Sequence, residues 1–291
     1  MAEHGPPQRR AFTEGPPPHS LQEAVALVTG SSSGIGRMTA LAMARAGASV
    51  AVVARRADRL EAVVKEIESA GGAAAAFPGD VTVPGAIERA VRGCVSRFGR
   101  LDVLVNNAGE GFFGTIEQTG EEDLDRMLAV NFKGTFHGIK AALPVMRRQG
   151  TGHIINVAST AGRRGSPYVA AYCASKFAVV GLTESLRVEL LGTGIRVSLV
   201  CPGATRTEFF DAARRLTDRH HGLVGPVESP DRVAERIVAV ARRPRAEVIA
   251  QPFRRKVFLA LNLLAPGLID RLLASLIDGR GKGSDGEGGR S

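Results

Sequence analysis

Tryptophan is absent and aromatic residues make up only 5% of the 291, yet 44% are hydrophobic. The apolar stock is therefore mainly Ala, Val, Leu and Ile, the mixture found where parallel strands are covered by helices on both faces. Cysteine is scarce too. Cys94, Cys173 and Cys201 are odd in number and lack a CxxC pair, which excludes a disulfide framework and a cysteine zinc site and suits a reducing cytoplasm. The six histidines show no metal-ligand spacing, so no metal is expected. Acidic residues number 29 against 38 basic ones, a formal charge of +9. The excess lies in scattered pairs such as Arg9-Arg10, Arg147-Arg148 and Arg242-Arg243, with no nucleic-acid motif or interleaved aromatics, so nucleic acid is not an expected partner. A membrane span is missing as well: the apolar run from Val257 stops at Pro266, short of the roughly 20 residues a bilayer requires.

What is present, from about residue 24, is a regular alternation of short β-branched runs and helical stretches. VALVTG leads into a helix, SVAVVA into another, and the pattern continues through AAAAFPGD, LDVLVNNAG, HIINVAS, IRVSLVCPG and EVIAQ. Such alternation signals βαβ units. It predicts one α/β domain over residues 23–252, a doubly wound Rossmann-type fold with a seven-stranded parallel sheet and helices on both faces. Helices are expected near 84–98, 121–132, 134–149 and 170–191. Residues 1–22, rich in Pro, Gly and charge, and 279–291, polar and Gly-rich, bury too little to fold and are expected to be disordered tails. The N-terminal stretch has no apolar core that could serve as a signal sequence.

The first strand runs into Thr29-Gly30-Ser31-Ser32-Ser33-Gly34-Ile35-Gly36, directly before a helix. A glycine-rich turn at a helix N-terminus is an anion site, because free N–H groups and the helix dipole face the ligand while glycines allow close approach. Gly30, Ser32, Ser33, Gly34, Ile35 and Gly36 are accordingly the expected cradle for a dinucleotide pyrophosphate. The second strand ends in Arg55-Arg56, where NAD-binding chains carry an acid for the ribose hydroxyls. Paired guanidiniums would instead hold a 2′-phosphate, so the expected cofactor is NADP(H). The nearest acid, Asp58, forms an Asp58-x-x-Glu61 capping box for the next helix in this reading.

Tyr172 and Lys176, four apart in a helical stretch, share one helix face. A nearby ammonium would help bring a phenol toward the range where it shuttles protons. Ser159 ends an apolar strand, and in open α/β sheets ligands sit at the carboxyl ends of strands. Its hydroxyl is placed to orient a carbonyl. Together with Asp80-Val81, Asn106-Asn107-Ala108-Gly109, Asn131 and Pro202-Gly203, in that order and with Ser159 and Tyr172 thirteen residues apart, these elements resemble the short-chain dehydrogenase/reductase family over about residues 24–210. The resemblance implies catalytic roles for Asn131, Ser159, Tyr172 and Lys176. It further implies that Asp80 and Val81 contact the adenine and that Asn107, Ala108 and Gly109 line the cofactor groove. Asn131 would hold a water in a proton relay, Lys176 would bind the nicotinamide ribose, and Pro202, Gly203 and Thr205 would flank the carboxamide. A homodimer or homotetramer is implied too.

The same resemblance places a substrate lid at 205–226, carrying Phe209, Phe210, Arg214, Arg215 and Arg219, and Tyr168 on the pocket wall. Residues 253–278 form an amphipathic helical extension whose basic start fits either packing against the domain or a sister subunit, or peripheral contact with an anionic membrane surface. The expected activity is hydride transfer between NADP(H) and a small-molecule carbonyl or secondary alcohol, a lipophilic ketone or aldehyde. The alternatives are a 3-oxoacyl thioester reductase or, in another class, a non-catalytic NADP(H)-binding sensor or scaffold.

Overall fold

Buried apolar runs alternate with amphipathic stretches along the chain, and each becomes a strand or a helix of one α/β unit. The computed structural model describes residues 21–217, 227–250, 261–262 and 264–281. In chain order the elements are β1 (Val25–Thr29), α1 (Gly34–Arg45), β2 (Ser49–Ala54), α2 (Ala57–Ser69), β3 (Ala74–Pro78), α3 (Pro84–Phe98), β4 (Val103–Asn106), β5 (Phe112–Phe113), α4 (Glu121–Met127), α5 (Gly134–Gln149), β6 (Gly152–Val157), α6 (Ala170–Glu189), β7 (Ile195–Pro202), α7 (Phe209–Ala212), β8 (Arg214–Arg215), α8 (Pro230–Arg242), β9 (Glu247–Ala250) and α9 (Pro266–Gly281). Most of the N-terminal tail, residues 218–226 of the expected lid, residues 253–260 of the extension and Gln251 of the last strand lie outside the described residues.

Seven parallel strands form the sheet in the order β3-β2-β1-β4-β6-β7-β9. Because side chains alternate across a strand, Ala26 and Val28 face a core shared with α1, α2 and α8, while Val25 and Leu27 face one shared with α3, α5 and α6. Strand order reverses between β1 and β4, which opens a crevice at their carboxyl ends, the place where open α/β sheets bind ligands. Leu21 is buried in the first of these cores, so the folded unit starts ahead of residue 23.

Two local expectations change, and one feature is new. Arg56, not Asp58, caps α2, and Asp58 lies in the first turn with no side-chain cap bond at the N-cap, so the capping box does not form. The chain leaves β2 straight into the helix, with the Arg56 side chain already engaged elsewhere, and Asp58 is left to face the helix dipole. The helices at 121–132 and 134–149 are one continuous rod, because a π-helical segment, Leu128–Lys133, joins α4 to α5. Two short strands, β5 and β8, pair parallel outside the main sheet. Among the described residues no helix is long and apolar enough to cross a membrane.

Candidate active site

The loop between β1 and α1 needs glycine for two separate reasons. Gly30 and Gly34 take φ of +68° and +54°, the left-handed region. At Gly36 a Cβ would fall 2.2 Å from the Gly30 carbonyl oxygen, so no side chain fits. Ser31 is spent on structure: it is fully buried, its hydroxyl donates to the Val28 carbonyl at 3.1 Å and accepts from the Val53 amide at 2.9 Å. Thr29 ties the loop to the end of β4, accepting from the Asn107 and Ala108 amides at 3.0 and 3.1 Å. Ser32 and Ser33 are left facing the crevice, at the start of α1.

The two arginines take different partners. Arg56 reaches back over the loop and donates to Ser32 Oγ at 2.9 Å and Ser33 Oγ at 3.0 Å. Arg55 pairs with Glu110 at 3.0 Å, and Glu110 also holds Arg126 at 2.6 Å. Asp80 lies nearby. Its partial burial favours the neutral form, but hydrogen bonds from Thr82 and the charges of Arg55 and Arg126 outweigh this and lower its pKa.

At the other end of the crevice, β6 delivers Ser159 and α6 delivers Tyr172 and Lys176. Ser159 caps a short turn, accepting from the Ala161 amide at 3.1 Å, and shares a hydrogen bond with the Tyr172 phenol. Lys176 is buried, donates from Nζ to the Val157 carbonyl at 3.2 Å and lies 5.9 Å from the centre of the Tyr172 ring. Burial dominates both titrations. Desolvation raises Tyr172 to about 12 against the opposing hydrogen bond from Ser159, and it lowers Lys176 to about 8. Burial outweighs the i,i+4 pairing here because both groups are withdrawn from water.

Asn131, in the π segment, is fully buried behind this pair. Its Oδ1 accepts from the Glu110 amide at 2.8 Å, and its Nδ2 donates to the Glu110 carbonyl at 3.0 Å and to Ser175 Oγ at 2.9 Å. It thus pins the 107–110 turn to α6.

A cleft of about 490 Å³ connects the two ends. Every expected cofactor residue lines it: Gly30, Ser32, Ser33, Gly34, Ile35, Gly36, Arg55, Arg56, Asp80, Val81, Asn107, Ala108, Gly109, Tyr172, Lys176, Pro202, Gly203 and Thr205, and so does Ser159. Asn131 does not line it. Beside Tyr172 the wall is apolar, from Phe112, Phe113, Pro167, Val169, Phe209 and Ala212. Phe209 packs edge-on to Tyr172, ring centres 5.6 Å apart. Tyr168 is not on this wall; α6 begins only at Ala170, so Tyr168 precedes the helix at φ +65° and its carbonyl accepts from the Gly114 amide.

The described part of the expected lid segment is fastened to the body through the β5–β8 pairing, an Arg214–Asp123 contact of 2.6 Å and Arg215 lying over the Phe113 ring. Glu110, Arg59 and Glu208 were not among the residues expected from the sequence. Arg59 alone carried a signal, since it lies one helical turn beyond Arg55 and Arg56; the two glutamates act through contacts that no spacing rule anticipates.

The short chain dehydrogenase family model matches residues 24–217. An uncharacterized oxidoreductase of Thermotoga maritima is 46% identical over 189 residues, 65% of this chain and 74% of its own. A 3-oxoacyl-[acyl-carrier-protein] reductase of the same organism is 36% identical over 234 residues, 79% of this chain and 95% of its own. Among solved structures, a metagenomic short-chain oxidoreductase in complex with NADP is similar with a TM-score of 0.69 and 36% identity, over 80% of this chain and 99% of that one.

Proposed function

The chain belongs to the short-chain dehydrogenase family, and from that premise we propose that it is an NADP(H)-dependent oxidoreductase acting on a lipophilic ketone or aldehyde, or on the matching secondary alcohol. The observation that carries this reading is the meeting of Ser159, Tyr172 and Lys176 with an apolar wall at one end of a cleft whose other end is a glycine-rich helix N-terminus flanked by arginines.

The cradle fits a dinucleotide. A Cβ at Gly30 would press on Ala108 at 2.8 Å and one at Gly36 on the Gly30 carbonyl, so glycine is what lets the loop pack against the end of β4 and bring the N-terminus of α1 to the cleft, where its free amides would suit a pyrophosphate. Ser32, Ser33 and Arg56 would hold a 2′-phosphate, in keeping with the NADP bound by the metagenomic relative. When bound, the nicotinamide supplies or accepts the hydride at the substrate carbon. Ser159 orients the substrate oxygen and Tyr172 exchanges a proton with it. Burial keeps the phenol protonated but makes it a weak acid; bringing its pKa toward the working pH requires positive charge beside it, and the Lys176 ammonium, one helical turn away, is placed to contribute that charge while it stays protonated.

A second reading, reduction of 3-oxoacyl thioesters, draws on the second Thermotoga relative. Against it, Arg214, the lid residue best suited to a carrier phosphate, is already paired with Asp123. A non-catalytic sensor has no physical need for Ser159, Tyr172 and Lys176 together. The test is NADPH consumption, with NADH as control, over medium-chain aldehydes, steroid-like ketones and 3-oxoacyl thioesters. Turnover of an apolar carbonyl with NADPH, reduced about 100-fold or more in Tyr172→Phe, is expected from loss of a positioned acid. Preference for NADH overturns the cofactor assignment; tight NADPH binding with no Tyr172-dependent turnover points to the sensor.

A further inference from the structure

Glu208 lines the cleft together with Ser32, Ser33 and Arg56, the residues proposed above to hold the 2′-phosphate. Its carboxylate accepts from Arg59 Nη1 at 2.9 and 2.8 Å and lies 3.4 Å from Arg56 Nη1, the same guanidinium that reaches Ser32 and Ser33. It also lies on the wall between the main cleft and a neighbouring cavity of about 470 Å³ that contains Arg59, and both share Ser32 and Ser33. Its chain neighbours reach the two ends of the site. Thr207 packs where a Gly34 side chain would lie, and Phe209 packs on Tyr172.

We infer that Glu208 is a built-in competitor for the 2′-phosphate: it pairs with Arg56 and Arg59 when no phosphate occupies them, is displaced by a cofactor that carries the phosphate, and so sets both the NADP-over-NAD ratio and the freedom of the 207–212 segment. This rests on the NADP reading above. Two guanidiniums 149 and 152 residues away in sequence converge on one carboxylate, and a phosphate offers them the same anionic, multidentate partner. A cofactor without the 2′-phosphate gives Glu208 no rival, so it binds with the segment still held. The carboxylate's own pKa is lowered, first by the Arg59 hydrogen bond, so it is charged wherever the enzyme works.

Titrations of 2′,5′-ADP and 5′-AMP, with hydrogen exchange of the amides at 207–212, test this on wild type and Glu208→Gln. Glu208→Gln is expected to tighten 2′,5′-ADP about two- to fivefold, the range of an exposed ion pair, while 5′-AMP stays within about twofold. In wild type, 2′,5′-ADP but not 5′-AMP should speed exchange at 207–212; in Glu208→Gln exchange should be fast without ligand. If 2′,5′-ADP binds better than 5′-AMP yet the ratio is the same in both proteins, the competitor role falls and the NADP reading stands. Tighter binding in Glu208→Gln without any change in exchange also overturns it, leaving only long-range repulsion. Equal affinity for the two ligands in both proteins overturns the NADP reading itself.

Discussion

Lys176 carries a desolvation cost that the role proposed for it beside Tyr172 would explain. Its ordinary pKa of 10.5 is lowered to about 8 by burial. Below pH 8 folded and unfolded chains both hold the proton, and the folded one bears the full desolvation penalty. Between about 8 and 10.5 the folded chain releases its proton first, so stability rises with pH across that window. Tyr172, raised to about 12, opposes this only above its ordinary value of 10, where the unfolded chain ionises first. Lys176→Met is therefore expected to be more stable than wild type at pH 7, by on the order of 2–3 kcal/mol less the lost Val157 bond, with the advantage shrinking from pH 8 to 10. Thermal melts over that range check it; a variant less stable than wild type at pH 7 refutes it. The catalytic counterpart is a fall in kcat/KM for carbonyl reduction above pH 8, as the ammonium beside Tyr172 is lost. A profile flat to pH 9.5 would show that the lysine charge is not used. Tyr172 and Lys176 were legible as an i,i+4 helix pair and Ser159 as the end of an apolar strand, while their catalytic roles came from the family resemblance. The sign of the tyrosine's shift was not, since it depends on burial by segments distant in the chain.

At the scale of the element, two glycines in helices make opposite predictions. Gly36, in the first turn of α1, has no room for a methyl, and the atom it would strike is backbone. Gly36→Ala should abolish cofactor binding by deforming the cradle, with a folded sheet retained by circular dichroism; unimpaired NADPH titration would contradict the cradle. Gly181, inside α6, has nothing within 4 Å of its Cβ position. Gly181→Ala should then stabilise by about 0.5–1 kcal/mol through helix propensity alone, read as a higher denaturant midpoint with unchanged slope. The sheet strands and long helices were visible as periodicity, but the π segment around Asn131 was not, because one inserted turn leaves the apolar pattern helical on either side. The β5–β8 pair was equally hidden: two-residue strands have no period, and Phe112–Phe113 meets Arg214–Arg215 only through the tertiary fold.

Over the whole molecule, the order β3-β2-β1-β4-β6-β7-β9 explains why residues spread from Gly30 to Glu208 share one cleft, since parallel strands deliver all their carboxyl ends to one edge. Alternating strands and helices made that architecture readable in advance. The C-terminal extension lies beyond it, and its amphipathic sequence left its docking open. In the structure Ile269 of α9 is buried at 2% exposure while Leu264 and Leu268 stand exposed, and Asp270 pairs with Arg164 on the loop that follows Ser159. The buried isoleucine is the stronger hold, because an exposed ion pair contributes at most about 1 kcal/mol and a buried aliphatic side chain about 1.5–3. Ile269→Asp should therefore release α9, exposing the bond after Arg271 to trypsin, whereas Asp270→Asn should leave cleavage nearly as slow as in wild type. Since Arg164 would lose its partner in both, any change in substrate KM common to the two variants reports the loop, and one seen in Ile269→Asp alone reports the helix. Equal trypsin resistance in all three proteins would mean that α9 is held by contacts other than Ile269.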